Sequence, residues 1–168
     1  MRSPLLLRLG YFAISLACAG MIAFALYLQY YQFLNPCPMC IFQRVFIMLT
    51  GVVALIAAIG VRPARTGSAS FWSRAIIVPA LLGMCISIRH TWIQLRPPEG
   101  MTTCDAGLMF MLEKQPFFSV VRDVLYGTGD CTKIDWTFLG IALPGWGIVG
   151  FGGMAVWAWW VGRKFGSR

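Results

Sequence analysis

Cys37-Pro38-Met39-Cys40 holds two thiols at the two-residue spacing that lets a cysteine pair close a small disulfide ring. In such a ring the more exposed sulfur serves as nucleophile or leaving group in thiol–disulfide exchange. The same spacing also serves zinc sites and c-type haem attachment. Haem is disfavoured because Ile41, not histidine, follows Cys40. A four-thiolate zinc site would draw on Cys104 and Cys131, whose separation lacks the C-x-x-C spacing of a second zinc knuckle. Purely structural disulfides among these four cysteines stay open as an alternative.

Two further residues raise the redox reading. Arg44 follows Cys40 by four residues, one turn deeper on the same face of any helix that starts there. An arginine just inside an apolar span is costly, and either snorkels to the headgroups or marks a functional site. In the second case it stabilises a Cys40 thiolate, already favoured by the positive helix end, and a negatively charged acceptor in the membrane. His90, the single histidine, follows Arg89 near the outward end of another apolar block. It is either a satisfied interfacial side chain or a hydrogen-bond and proton donor to the same acceptor.

The elements that must position these groups are membrane helices. Of 168 residues, 58% are hydrophobic and 12% charged, against about a quarter charged in soluble domains. The apolar residues fall into four blocks, about 9–31, 41–61, 71–95 and 144–161, each near the roughly 20 residues that cross a bilayer as helix. The fold expected is an all-α, four-transmembrane-helix bundle forming one domain over 1–168. The first block continues beyond a signal-peptide core, although Ala17-Cys18-Ala19 offers small residues for cleavage. Cys18 and Cys85 fall inside spans, where a thiol behaves as a small buried apolar group.

The net charge of +8 is sorted by side. Arg2 and Arg8 precede the first block, Arg62, Arg65 and Arg74 lie in or beside the 62–70 link, and Arg163, Lys164 and Arg168 follow the last block. All six acidic residues, Glu99, Asp105, Glu113, Asp123, Asp130 and Asp135, lie in the loop of about 96–136. Basic residues concentrate on the cytoplasmic side, so both termini are expected inside and the Cys37–Cys40 turn and long loop outside. Trp157, Trp159 and Trp160 then mark the inner interface. The basic residues form no aromatic-interleaved surface, which argues against nucleic acid as a partner.

Cys104 and Cys131 both lie in the outer loop. Between Pro116 and Gly127 the loop carries Phe117, Phe118, Val120, Val121, Val124 and Leu125 with Lys114, Arg122 and Asp123. This pattern predicts a short helix lying on the outer membrane surface.

Together these stretches resemble the DsbB family of disulfide bond formation proteins. The matching residues are Pro36-Cys37-Pro38-Met39-Cys40-Ile41-Phe42-Gln43-Arg44, His90-Thr91-Trp92-Ile93-Gln94-Leu95, Thr103-Cys104-Asp105, Gly129-Asp130-Cys131, Trp136-Thr137-Phe138-Leu139-Gly140 and Pro144-Gly145-Trp146. The resemblance covers nearly the whole chain. Vitamin K epoxide reductase relatives carry their quinone-side C-x-x-C after the loop cysteines, and here it comes first. The resemblance implies a bacterial inner-membrane enzyme in which a DsbA-like periplasmic thiol oxidase attacks Cys104. Electrons then pass from Cys104–Cys131 to Cys37–Cys40, and Cys40 delivers them to a membrane quinone, ubiquinone or menaquinone. Arg44 and His90 would line the quinone site, with no metal; Cys18 and Cys85 have no part in this scheme.

Overall fold

Within a bilayer a backbone must satisfy its own polar groups, and a continuous apolar run does so as helix. The computed structural model of the chain describes residues 2–61, 68–97, 108–127, 129–134 and 136–166. Four long helices dominate: α1 (Arg2–Tyr31), α2 (Pro38–Gly60), α3 (Ser68–Leu95) and α6 (Leu143–Gly166). Between α3 and α6 lie α4 (Leu108–Lys114), α5 (Phe117–Tyr126), a 3-10 turn (Gly129–Thr132) and a hairpin of β1 (Thr137–Phe138) and β2 (Ile141–Ala142).

Among the described residues, three helices are long and apolar enough to cross a membrane: Leu5–Tyr31, Pro38–Gly60 and Ser68–Leu95. The 24 residues of α6 pack chiefly on α3 and are rich in glycine and tryptophan, which lower its hydropathy. Each long helix starts ahead of the apolar block it contains, and α6 also runs past 161. Apolar runs mark the stretch that sheds water, whereas helix already begins in the polar turn ahead of each run.

The long helices alternate in direction, and polar bonds mark one shared end. Arg8 donates to the Val61 carbonyl at 3.4 Å, tying the start of α1 to the end of α2. Tyr11 donates to the Ala69 carbonyl at 3.0 Å, and Ser73 donates to the Ala158 carbonyl at 3.0 Å. The starts of α1 and α3 therefore meet the ends of α2 and α6. Arg163 and Lys164 lie at the same end, over the rings of Trp159 and Trp160.

The core between the helices runs through Leu7, Tyr11, Ile14 and Cys18 of α1, one residue per helical turn. Two glycines let backbones approach closely. A Cβ at Gly83 would overlap the Phe151 ring, and one at Gly51 would lie 2.8 Å from the Cys18 Cβ. Cys18 is buried there, its sulfur 3.2 Å from that of Met154. Cys85 departs from expectation: it is exposed on the outer face of α3. The buried stripe of that helix runs through Ile76, Ala80, Gly83, Ser87 and His90, and position 85 falls between its turns.

Candidate active site

The end of the bundle opposite Arg8 and Tyr11 carries the cysteines. Helix α2 begins earlier than the apolar run at Ile41 suggests, because Pro38 takes the first helical position, where its missing N–H costs nothing. Cys37 is the extended N-cap residue, and its sulfur accepts the Cys40 amide at 3.3 Å. A thiol thus occupies the place that serine or aspartate usually fills. That cap draws the two sulfurs to 3.2 Å from each other as separate thiols, with Cys40 inside the first turn.

His90, 2% exposed on α3, places Nε2 3.7 Å from the Cys37 sulfur. Its Nδ1 lies 3.5 Å from the side-chain amide of Gln43, and the ring also hydrogen-bonds to the backbone of Cys131. Cys131 sits in the 3-10 turn, fully buried. Its sulfur, that of Cys37 and a His90 ring nitrogen all lie within 4.8 Å of one another. Cys104 lies outside the described residues, as do Asp105, Arg62 and Arg65.

Helix α5 covers this cluster. It forms between Pro116 and Gly127 as the sequence predicts, and Val120 and Val124 pack with Met39, Ile93, Cys37 and Cys131. Its Phe117 and Phe118 stay exposed, at 62% and 85%. Arg89 holds the far end, donating to the carbonyls of Leu125 at 3.1 Å and Tyr126 at 2.9 Å. Gln94 donates to the Lys133 carbonyl at 3.3 Å, fastening the segment after the turn.

Arg44 is half-buried, and its guanidinium crosses to α1, donating to the Gln29 side chain and, at 3.2 Å, to the Ala25 carbonyl. Its hydrogen-bond partners are thus on α1, and its charge still acts on Cys40 one turn above. Cys37, Cys40, Arg44 and His90 all line one cavity of about 660 Å³. That volume suits a small organic molecule. Apolar and aromatic side chains form most of the wall, with Gln43 and Gln94 adding polar points.

One wall was not foreseen. Leu139 and Gly140 both take positive φ, 52° and 77°, and close a two-residue hairpin in which Phe138 pairs with Ile141. The hairpin stacks Phe138 on Trp136 at 6.1 Å, and Trp136 meets Phe24 of α1 edge-on at 5.5 Å. Trp146 donates to the Phe138 carbonyl at 3.1 Å. The paired aromatics in 136–146 were a visible signal, but their register depended on the turn.

Apolar membrane helices around a capped dithiol, with a third cysteine sulfur beside it, define an integral membrane protein built for thiol–disulfide chemistry. Whole-chain comparison narrows that class. Residues 7–161 match the family described as disulfide bond formation protein DsbB. A disulfide bond formation protein B of Azoarcus sp. (strain BH72) is 42% identical over 167 residues, covering 99% of this chain and 95% of the relative. Relatives of the same description from Xanthomonas campestris pv. campestris (strain 8004) and Chromobacterium violaceum are 42% and 41% identical over 149 and 158 residues. These cover 89% and 94% of this chain, and 86% and 94% of the relatives. The chain belongs to the DsbB family and is a disulfide-forming oxidoreductase.

Proposed function

We propose that this protein reoxidises a DsbA-like periplasmic thiol oxidase and passes the electrons to a membrane quinone. The observation that carries the reading is the position of Cys37, which has Cys131 and His90 within 4.8 Å and lines, with His90, the same cavity as Cys40 and Arg44. A partner thiolate attacks the Cys104–Cys131 disulfide, and a second partner thiol releases the partner as a disulfide, leaving two thiols on the loop. Exchange with the Cys37–Cys40 disulfide restores the loop pair and leaves the dithiol on α2. Cys37 is the member of that pair that Cys131 approaches, and Cys40 is the member one turn above Arg44.

The cavity fits a quinone by the chemistry of its wall: a largely apolar, aromatic slot with donors from Arg44 and His90 for ring oxygens. A bound quinone supplies the oxidising power, taking up two electrons and two protons. Arg44, held by α1, contributes fixed positive charge, and His90 can hold or release a proton beside Cys37. Ubiquinone and menaquinone both satisfy this description. We further read α6 as a fourth span, both termini as cytoplasmic and the Cys37–Cys40 turn and 96–136 loop as periplasmic in a bacterial inner membrane. Arg8, Arg163 and Lys164 gather at the end opposite the cysteines, which supports that orientation.

The test is oxidation of a reduced CxxC-containing partner by purified protein with and without quinone. Without quinone, turnover should stop after the protein's own disulfides are spent; with it, oxidation should continue. Arg44→Met should raise the quinone KM about tenfold or more while leaving the quinone-independent burst intact. Cys131→Ala should trap the partner as a mixed disulfide on Cys104. Turnover that ignores added quinone would refute the reading.

A further inference from the structure

We propose that the reduced protein binds a thiophilic divalent cation, zinc or cadmium, through Cys37, Cys131, His90 and Cys40, and that binding arrests its redox cycle. The site claim rests on the cluster alone, and the arrest rests on the relay proposed above. Three sulfurs and one imidazole form the Cys3His set that structural zinc uses. A tetrahedral zinc with Zn–S bonds of about 2.3 Å sets its sulfurs about 3.8 Å apart. Here the ligand atoms of Cys37, His90 and Cys131 lie within 4.8 Å of one another, with Cys37 Sγ 3.7 Å from His90 Nε2, and Cys40 Sγ stands outside that trio, 3.2 Å from Cys37 Sγ. Those three are near ligand spacing as they stand, and Cys40 is the ligand that turns in from the first turn of α2 to complete the set.

The surroundings favour a soft cation over a hard one. The ligand atoms are sulfur and nitrogen, and among the described residues no carboxylate joins the group. Val120 and Val124 pack over Cys37 and Cys131, which are buried with His90. Gln43 stands where metal-binding histidines have an outer partner, its amide nitrogen facing Nδ1 at 3.5 Å. A half-turn of that amide would present the oxygen to accept Nδ1–H and leave the Nε2 lone pair for the metal. Cation, three thiols and one imidazole give the complex and three protons, and no electron moves. The complex then carries one negative charge, beside a cavity that Arg44 also lines. A disulfide between any two of these cysteines removes two thiolates, so only the reduced protein has the full site.

Full-length protein in detergent, reduced and freed of reductant, is titrated with zinc against a chromogenic chelator, and with cadmium while the thiolate-to-metal absorption is followed. One cation per reduced protein and none per oxidised protein is expected. His90→Ala and Cys131→Ser should each weaken binding more than tenfold. Gln43→Leu should weaken it about tenfold, and Cys104→Ser should leave it unchanged. Equal binding by oxidised protein, no binding by reduced protein, or indifference to both His90→Ala and Cys131→Ser would overturn the site. Loss of binding in Cys104→Ser would overturn it as well. Zinc that binds yet leaves partner oxidation untouched would remove the arrest and keep the site. A protein with no quinone-linked turnover even without zinc would fail the relay instead, with the titration still readable.

Discussion

Opening of α5 should be governed by its two buried valines more than by the visible Arg89 clamp. The Arg89 bonds to Leu125 and Tyr126 reach carbonyls of the last helical turn, which have no intrahelical donor. Those bonds are solvent-exposed, so water replaces them in Arg89→Ala, at about 1 kcal/mol each. Regained side-chain freedom offsets about 1 kcal/mol of that loss. The remaining loss of about 1 kcal/mol raises the open fraction roughly fivefold. Val124 is 1% exposed. Val124→Ala deletes both γ-methyls and leaves a cavity, about 2 kcal/mol or roughly 30-fold. The assay is maleimide alkylation of Cys131 as the only cysteine, with Ser at 37, 40 and 104 and Ala at 18 and 85. Because the Cys131 side chain is fully buried, its alkylation rate follows the open fraction. Rates should rise in the order parent, Arg89→Ala, Val124→Ala. An Arg89→Ala effect larger than that of Val124→Ala, or no effect of either, would refute the reasoning.

Two other substitutions address separate links. Gln43→Leu keeps volume but strips the partner from His90 Nδ1, and partner oxidation by purified protein should slow several-fold with the helical circular dichroism unchanged. Gly83→Ala puts a Cβ into the Phe151 ring between α3 and α6. Overpacking of that kind costs about 1–3 kcal/mol, so the midpoint of thermal unfolding in detergent should fall, and Gly83→Ala with Phe151→Leu should recover part of it.

Hydropathy made the long helices legible because each must bury an apolar stretch as one unit, and Pro116 and Gly127 bracketed α5 as breakers do. The pairing of faces was less legible. Cys85 looked like Cys18, yet only position 18 falls on the stripe that meets α2 and α6, and apolar residues all round a membrane helix hide that stripe. Helical spacing makes Arg44 an electrostatic neighbour of Cys40, but does not show that Gln29 and Ala25, distant in sequence, hold its guanidinium. The hairpin escaped because Leu139 is not a residue expected at positive φ. Of the site, the cysteine motif, Arg44 and His90 were readable from residue type. Gln43 and the α5 cover became readable only once α2, α3 and the loop were brought together.

In the relay proposed above, the cap at Cys37 would let one cysteine serve two exchanges. Its backbone carbonyl accepts the Ile41 amide at 3.2 Å and its sulfur accepts the Cys40 amide. The backbone contact persists whichever sulfur Cys37 bonds, so α2 keeps its start while the side chain changes partner. A disulfide to Cys40 closes within the first turn, and one to Cys131 joins α2 to the 3-10 turn. A single sulfur holds one such bond of about 2.05 Å at a time. The two states therefore exclude each other, and a modest movement of one side chain decides between them. His90 stands beside that sulfur in the present arrangement, where it can stabilise the Cys37 thiolate released when a Cys37–Cys131 bond is resolved at Cys131. A lone buried thiol would have no such choice, and a cysteine further along α2 would have its amide committed to the helix rather than to a neighbouring sulfur.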